Sequence, residues 1–168
     1  MTIELPASLR EFISAQNTLT LATLNADGTP HACDLFYAHA DDLTFYFLSD
    51  PKTAHIRNLE REPRVSAALH GASRGWQEIR GVQVGGTARR VAQLGERARG
   101  YSLYIAKFAF VSQWLPTVGA LGQLHKSLGV VELYQIAPHW VRWIDNTQGF
   151  GHKEEFLLPG EDRIPPAA

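Results

Sequence analysis

The run TLTLATLNADGTPHACDLFYAHADDLTFYFL, residues 18–48, decides the fold. Residues 18–24 (TLTLATL) are dense in β-formers and predict a strand. Asn25-Ala26-Asp27-Gly28 follows, a cluster that tolerates the left-handed backbone of a tight reversal. Residues 31–38 (HACDLFYA) predict a second strand, Asp41-Asp42 a second turn, and residues 43–48 (LTFYFL) a third strand. That third strand is apolar on both faces, which predicts a central place. Short, regular spacing of this kind predicts an antiparallel meander.

Working outward, Leu5, Leu9, Phe12 and Ile13 recur at helical spacing behind Pro6, so residues 6–16 predict a short amphipathic helix. Downstream, Ser49-Asp50-Pro51 ends the β pattern, and residues 53–60 predict a second helix stopped by Pro63. Residues 64–70 alternate as a strand. Residues 77–91 predict one long strand bent at Gly85-Gly86, since paired glycines inside a strand mark a bulge. Residues 95–115 predict the longest helix, with Ala98, Tyr101, Tyr104, Ile105, Phe108 and Val111 as its buried stripe. Two strands follow over 129–136 and 140–145, separated by Pro138, and a polar, Pro-rich tail, predicted to be mobile, runs from Pro159. The sum is a mainly β protein. It predicts a six- to seven-stranded antiparallel split β-barrel with short flanking helices over 1–158, and a tail at 159–168. Long helices do not alternate with the strands, which disfavours a parallel doubly wound sheet.

Composition agrees with a single domain. The 168 residues are 45% hydrophobic and 20% charged, and 16 Lys+Arg against 17 Asp+Glu leave a net charge of −1. That balance argues against a nucleic-acid partner. No apolar run is long enough for a membrane helix, and no signal pattern opens the chain, so the expected compartment is the cytoplasm. Cys33 is the one cysteine, which excludes an internal disulfide, and its expected place is the core. The seven histidines (His31, His39, His55, His70, His125, His139 and His152) show no metalloprotease spacing. His31 and Cys33 share a strand face, but two ligands make no metal site, and none is expected. Arg89, Arg90, Arg97 and Arg99 read as a solvated basic face, and Trp76, Trp114, Trp140 and Trp143 as core or interface anchors.

The segment Ser49-Asp50-Pro51-Lys52-Thr53-Ala54-His55 carries the most chemistry. A buried strand ends and a helix begins within it. The helix start offers free backbone N–H groups, Lys52 a charge, Thr53 a hydroxyl and His55 a ring nitrogen, together a phosphate cradle. Thr53 as a plain N-cap beside a solvated Lys52 explains the same residues.

The run from Thr20 to Leu69 resembles the pyridoxamine-5′-phosphate-oxidase-like family of FMN-binding split barrels. It shares that family's order of meander, hydroxyl at a strand end, short helix with Asn58-Leu59, then Pro63-Arg64-Val65. GVQVGGTARRV (81–91) resembles the family's long strand, and DNTQGFGHK (145–153) a bacterial branch of the superfamily. The resemblance spans roughly 17–155. It implies Leu48 and Ser49 beside the ribityl-phosphate, Thr53 as the phosphate-binding hydroxyl and His55 in place of a phosphate-binding lysine, with Lys52 restoring the charge. Two further basic positions of the family are Cys33 and Ala38 here. A glutamine beside the flavin ring becomes Gly81, with Gln83 next on the same strand face. The family's sites lie between two copies of the chain, so Asn146, Gly149, Phe150 and Gly151 become candidates for a second wall, or form a plain turn. The resemblance thus implies an FMN-binding homodimer, a flavin-dependent oxidoreductase acting on a small molecule. The alternative is a non-catalytic holder of flavin, haem or another planar cofactor. No catalytic residue is named.

Overall fold

The computed structural model describes residues 4–112 and 131–159. The expected tail beyond Pro159, Trp114, His125, the last residues of the 95–115 helix and the first of the 129–136 strand lie outside them. The elements are α1 (Ala7–Ala15), β1 (Thr18–Leu24), β2 (Pro30–Phe36), β3 (Ala38–His39), β4 (Phe45–Ser49), α2 (Ala54–Arg61), β5 (Arg64–His70), β6 (Arg80–Arg90), α3 (Leu94–Lys107), α4 (Ala109–Ser112), β7 (Glu132–Asp145) and β8 (Lys153–Leu157). Short 3₁₀ turns cover Trp76–Glu78 and Asn146–Gln148.

All strands form one antiparallel sheet with the path β2-β1-β5-β6-β7-β4-β3, and β8 pairs with β7. β2 and β3 stand at opposite ends of that path, yet only Tyr37 separates them in the chain. The sheet must therefore curl until its ends meet, which makes it a barrel with a split between β2 and β4. Inside lie Leu19, Leu21, Phe45, Phe47, Val82, Val84 and Trp143. The alternating burial of β1 and β5 puts every second residue in this core, as a pleat with period two requires. α1 closes one end, where the Phe12 ring meets Trp143 at 5.0 Å. α2 closes the other, where the buried Asn58 donates to Thr23 Oγ1 at 3.1 Å and Asn25 Oδ1 at 2.9 Å. α3 lies outside, with Tyr101, Tyr104 and Phe108 in a second cluster with Tyr46 and Leu133.

β1 and β5 match their predicted ranges, and the bulge falls between Gly85 and Gly86. Several expectations need correction. The first three strands are not a meander: β4 pairs with β7 rather than β2, and β2 and β4 face each other across the split. β4 is accordingly one strand from the end of the path, and its second apolar face is covered by α3 instead of by a central position. It starts at Phe45, because Leu43 takes a positive φ of 63° in the turn. The 31–38 strand breaks at Tyr37, whose hydroxyl donates to Ile13 O. Pro138 does not interrupt β7. It stands opposite Gly86 at the bulge, between the β4 ladder ending at Ile136 and the β8 ladder starting at Trp140, where no N–H is required. The long helix bends off at Phe108, and Gly100, not the exposed Ala98, meets the sheet. β8 had no sequence-based expectation.

Candidate functional site

β4 ends and α2 begins at one corner of the barrel. Pleat alternation turns Ser49 inward, on the same side as Phe47, while Leu48 points to the α3 side. Ser49 Oγ and His55 Nε2 are 2.7 Å apart, and Thr53 Oγ1 lies 3.2 Å from each. Ser49 and His55 are only 7% and 8% exposed. Thr53 is the N-cap residue of α2 by backbone geometry, but its hydroxyl donates to Asp50 O at 2.8 Å and makes no capping bond. The first-turn N–H groups of α2 therefore have no side-chain acceptor. Lys52 is exposed beside them. The free helix N–H groups and Lys52 offer donors and charge to an anionic tail, and the Ser49 and Thr53 hydroxyls beside them could turn to it only by giving up their present bonds to His55 and to Asp50 O.

Burial depresses the His55 pKa, and the neighbouring His31 lowers it further, so the imidazole is neutral near pH 7. The His31 ring stacks on it, centroids 6.4 Å apart, and His31 Nδ1 is buried without a hydrogen-bond partner.

Gly81 and Gln83 are elsewhere, on the outer face of β6. Gln83 Oε1 accepts from Arg142 Nη1 at 3.1 Å. Gln83 also lines a shallow groove of about 270 Å³ with Thr20, Ala22, Ser66, Ala68 and Trp140. Small residues at the outward positions of β1 and β5 give that face a flat floor. This pattern was present in the sequence but was not singled out. Cys33 and Ala38 are both on the second-strand segment; Cys33 packs against the core and Ala38 is buried near α3.

Asn146 and Phe150 occupy a third place, at the far end of β7 from Ser49's partner Glu132. Asn146 is buried and structural. It donates to Trp76 O at 2.8 Å and accepts from Gly151 N at 3.0 Å, fixing a tip where Gly149 and Gly151 take φ of 135° and 72°. Phe150, 81% exposed, meets the half-exposed Trp76 edge-on at 5.3 Å. The candidate residues thus fall into a corner, an outer groove and a tip. Within one chain these do not converge on one ligand. Among the described residues no cluster of three His, Cys, Asp or Glu side chains is placed to hold a metal.

Residues 5–143 match the family model described as pyridoxamine 5′-phosphate oxidase. A UPF0306 protein of Klebsiella pneumoniae (strain 342) is 28% identical over 152 residues, covering 90% of this chain and 92% of its own. A heme binding protein from Mycobacterium smegmatis has a similar structure, with TM-score 0.69 and 21% identity over 92% of this chain and 60% of its own. A FAD-binding protein from Mesorhizobium loti has TM-score 0.59 and 24% identity, over 82% of this chain and 92% of its own.

Proposed function

Because the chain belongs to the pyridoxamine 5′-phosphate oxidase family, we propose that it binds FMN between two copies of itself and serves as a flavin-dependent oxidoreductase for a small molecule. The observation that carries this reading is the Ser49–Thr53–His55 contact at the head of α2. In this reading Thr53, Ser49, Lys52 and the α2 N–H groups hold the phosphate, as donors at a helix N-terminus do. The groove beside Gln83 receives the ring, with Trp140 and Ala68 as apolar walls and the Gln83 amide at the polar edge. Corner, groove and tip do not converge within one chain. A second copy supplies the missing wall, and Phe150 of that copy is the exposed aromatic suited to it. Bound FMN supplies hydride or electron-pair acceptance at N5. The protein's own part is to anchor the tail, orient the ring and exclude water from one of its faces.

The FAD-binding structural relative supports a flavin ligand on this architecture. The test is fluorescence titration of FMN together with light scattering of the purified protein. We expect saturable quenching, a mass of two chains, and loss of about 100-fold or more in affinity for the double variant Lys52→Ala, Thr53→Ala, from two charge-assisted bonds. No quenching at millimolar FMN overturns the reading.

The histidines favour a second reading, haem holding. His55 is buried with its pKa held below the usual value, and His31 packs against it with ring planes 28° apart and a buried Nδ1 that has no hydrogen-bond partner, an imidazole nitrogen being a common haem-iron ligand. The mycobacterial relative is described as heme binding. Hemin titration decides: a Soret shift abolished by His55→Ala or His31→Ala, without FMN quenching, replaces flavin with haem.

A further inference from the structure

Lys107, the last residue of α3, carries a titratable group that neither the corner, the groove nor the tip uses. Its Nζ donates to the Gln16 carbonyl oxygen at 2.5 Å, at the C-terminal end of α1. It stands 3.9 Å from the centre of the Tyr37 ring and 5.7 Å from that of Phe108. One amine thus joins α1, the Tyr37 joint between β2 and β3, and α3. The place is remote from the corner, because Gln16 precedes β1 and it is the far end of β1, at Thr23, that is tied to α2. Tyr37 and Phe108 are buried, but Phe108 leads outward to Phe36 at 5.3 Å and Phe110 at 5.7 Å, both about half exposed. Lys107 itself is half-buried, so the amine lies at the inner edge of an aromatic patch that reaches solvent.

Among the described residues no carboxylate forms an ion pair with Lys107. The titratable groups around it bring no compensating charge. The Tyr37 hydroxyl is committed to Ile13 O, and on β3 the Lys107 charge lowers the pKa of His39, where Arg10 also acts and Asp41 opposes them. An ammonium here exchanges its water for two aromatic faces and one carbonyl. Burial pushes the Lys107 pKa down to about 8, so desolvation outweighs what the rings and Gln16 O return. The place therefore suits a neutral nitrogen better than a charged one. A neutral amine is a nucleophile, and an amide N–H in its position keeps a donor for Gln16 O while carrying no charge.

We propose that Lys107 is a modification site, acylated on Nζ by a small acyl phosphate. The neutral amine attacks the carbonyl carbon of the acyl group. The new N–C bond forms as the C–O bond to phosphate breaks, phosphate leaves with the electron pair, and the amine's proton passes to water. Nothing is oxidised or reduced. The product removes a desolvated charge, retains the bond to Gln16 O and leaves the acyl group beside the aromatic patch. The site is independent of any flavin or haem bound elsewhere on the barrel.

The experiment treats the purified full chain with acetyl phosphate at pH 7.5 and follows each lysine by peptide mass spectrometry, in buffer and in urea. A lysine with a pKa of about 8 holds about 100-fold more free amine at that pH than an ordinary one. Lower basicity and partial burial give back part of this, so Lys107 should acetylate about 10-fold faster than the exposed Lys52 and Lys153 in the folded protein, and no faster in urea. Its rate in buffer should level off above about pH 8 to 9, whereas in urea it should climb through about pH 10. Lys107→Met, which keeps the stem and removes the charge, should melt no lower than wild type at pH 7. A Lys107 rate equal to or below those of Lys52 and Lys153 overturns the proposal, as does an advantage that persists in urea. A Lys107→Met protein that melts several degrees lower would make the ammonium a structural cation, and that also overturns it.

Discussion

His55 Nε2 sits 2.7 Å from Ser49 Oγ, so one bond ties the end of β4 to the first turn of α2. The bond also fixes the direction of a pH effect. Burial and the charge of His31 hold the His55 pKa below its usual 6.5. Well above pH 6.5 the ring is neutral in both folded and unfolded chains. As pH falls from there, the unfolded chain takes up a proton that the folded one refuses, and stability declines until pH passes the folded pKa. Urea midpoints should therefore drop between pH 7 and pH 5, by no more than about 1.4 kcal/mol per pH unit for this one group. His55→Gln should flatten the drop. A residual slope belongs to His39, which burial shifts in the same direction.

The bulge in β6 gives a contrast between adjacent glycines. A Cβ on Gly86 would lie 2.5 Å from the Ala137 carbonyl oxygen, which is backbone and cannot rotate away. A Cβ on Gly85 would meet Trp140 at an ordinary 3.5 Å. Gly86→Ala is expected to cost about 3 kcal/mol and Gly85→Ala less than about 1 kcal/mol, read from denaturant midpoints. Equal costs would mean the Ala137-Pro138 stretch of β7 yields.

Asn58 is the polar tie of α2 to the barrel. Its amide donates to Thr23 and Asn25, and Thr23 is itself buried. Asn58→Ala should lower stability by about 1–3 kcal/mol, because the Thr23 hydroxyl loses its described partner in a buried place. It should also speed hydrogen exchange in α2 more than in β5. Uniform exchange across both elements would count against a local tie.

Cys33 is half-buried, and burial, with the nearby Asp34 carboxylate, raises its thiol pKa. Less thiolate means slower attack. At pH 8 a disulfide reagent should label the folded protein at least about 10-fold more slowly than the chain in denaturant. Asp34→Asn should recover a small part of the difference. Labelling at the denatured rate would place the thiol in solvent.

The boundaries of β1 and β5, the turn at 25–28, the bulge at Gly85-Gly86 and the start of α2 were legible in the sequence. Each depends on neighbours within a few residues: side-chain alternation, turn residues, and a proline that stops a helix. The corner was legible for the same reason, since Ser49, Thr53 and His55 lie within seven residues. The errors have a common source in long-range pairing. LTFYFL reads as a central strand because both faces are apolar, but one of those faces meets α3, from residues far along the chain. Pro138 reads as a break because a ladder needs its N–H. It stands where two successive partners of β7 leave a gap, which only the placement of β4 and β8 creates.

The sequence by itself determined a β-rich antiparallel chain with its turns, its bulge and one corner rich in hydrogen-bond donors, because those are consequences of local sterics and of the two-residue pleat. Only the tertiary structure decided that β7 joins the two halves of the barrel, that Gln83 faces a groove apart from that corner, and that Asn146 is a buried pin while Phe150 projects outward. Those outcomes depend on which distant strands share hydrogen bonds, and the free energy of such pairing belongs to the closed sheet rather than to any segment of it.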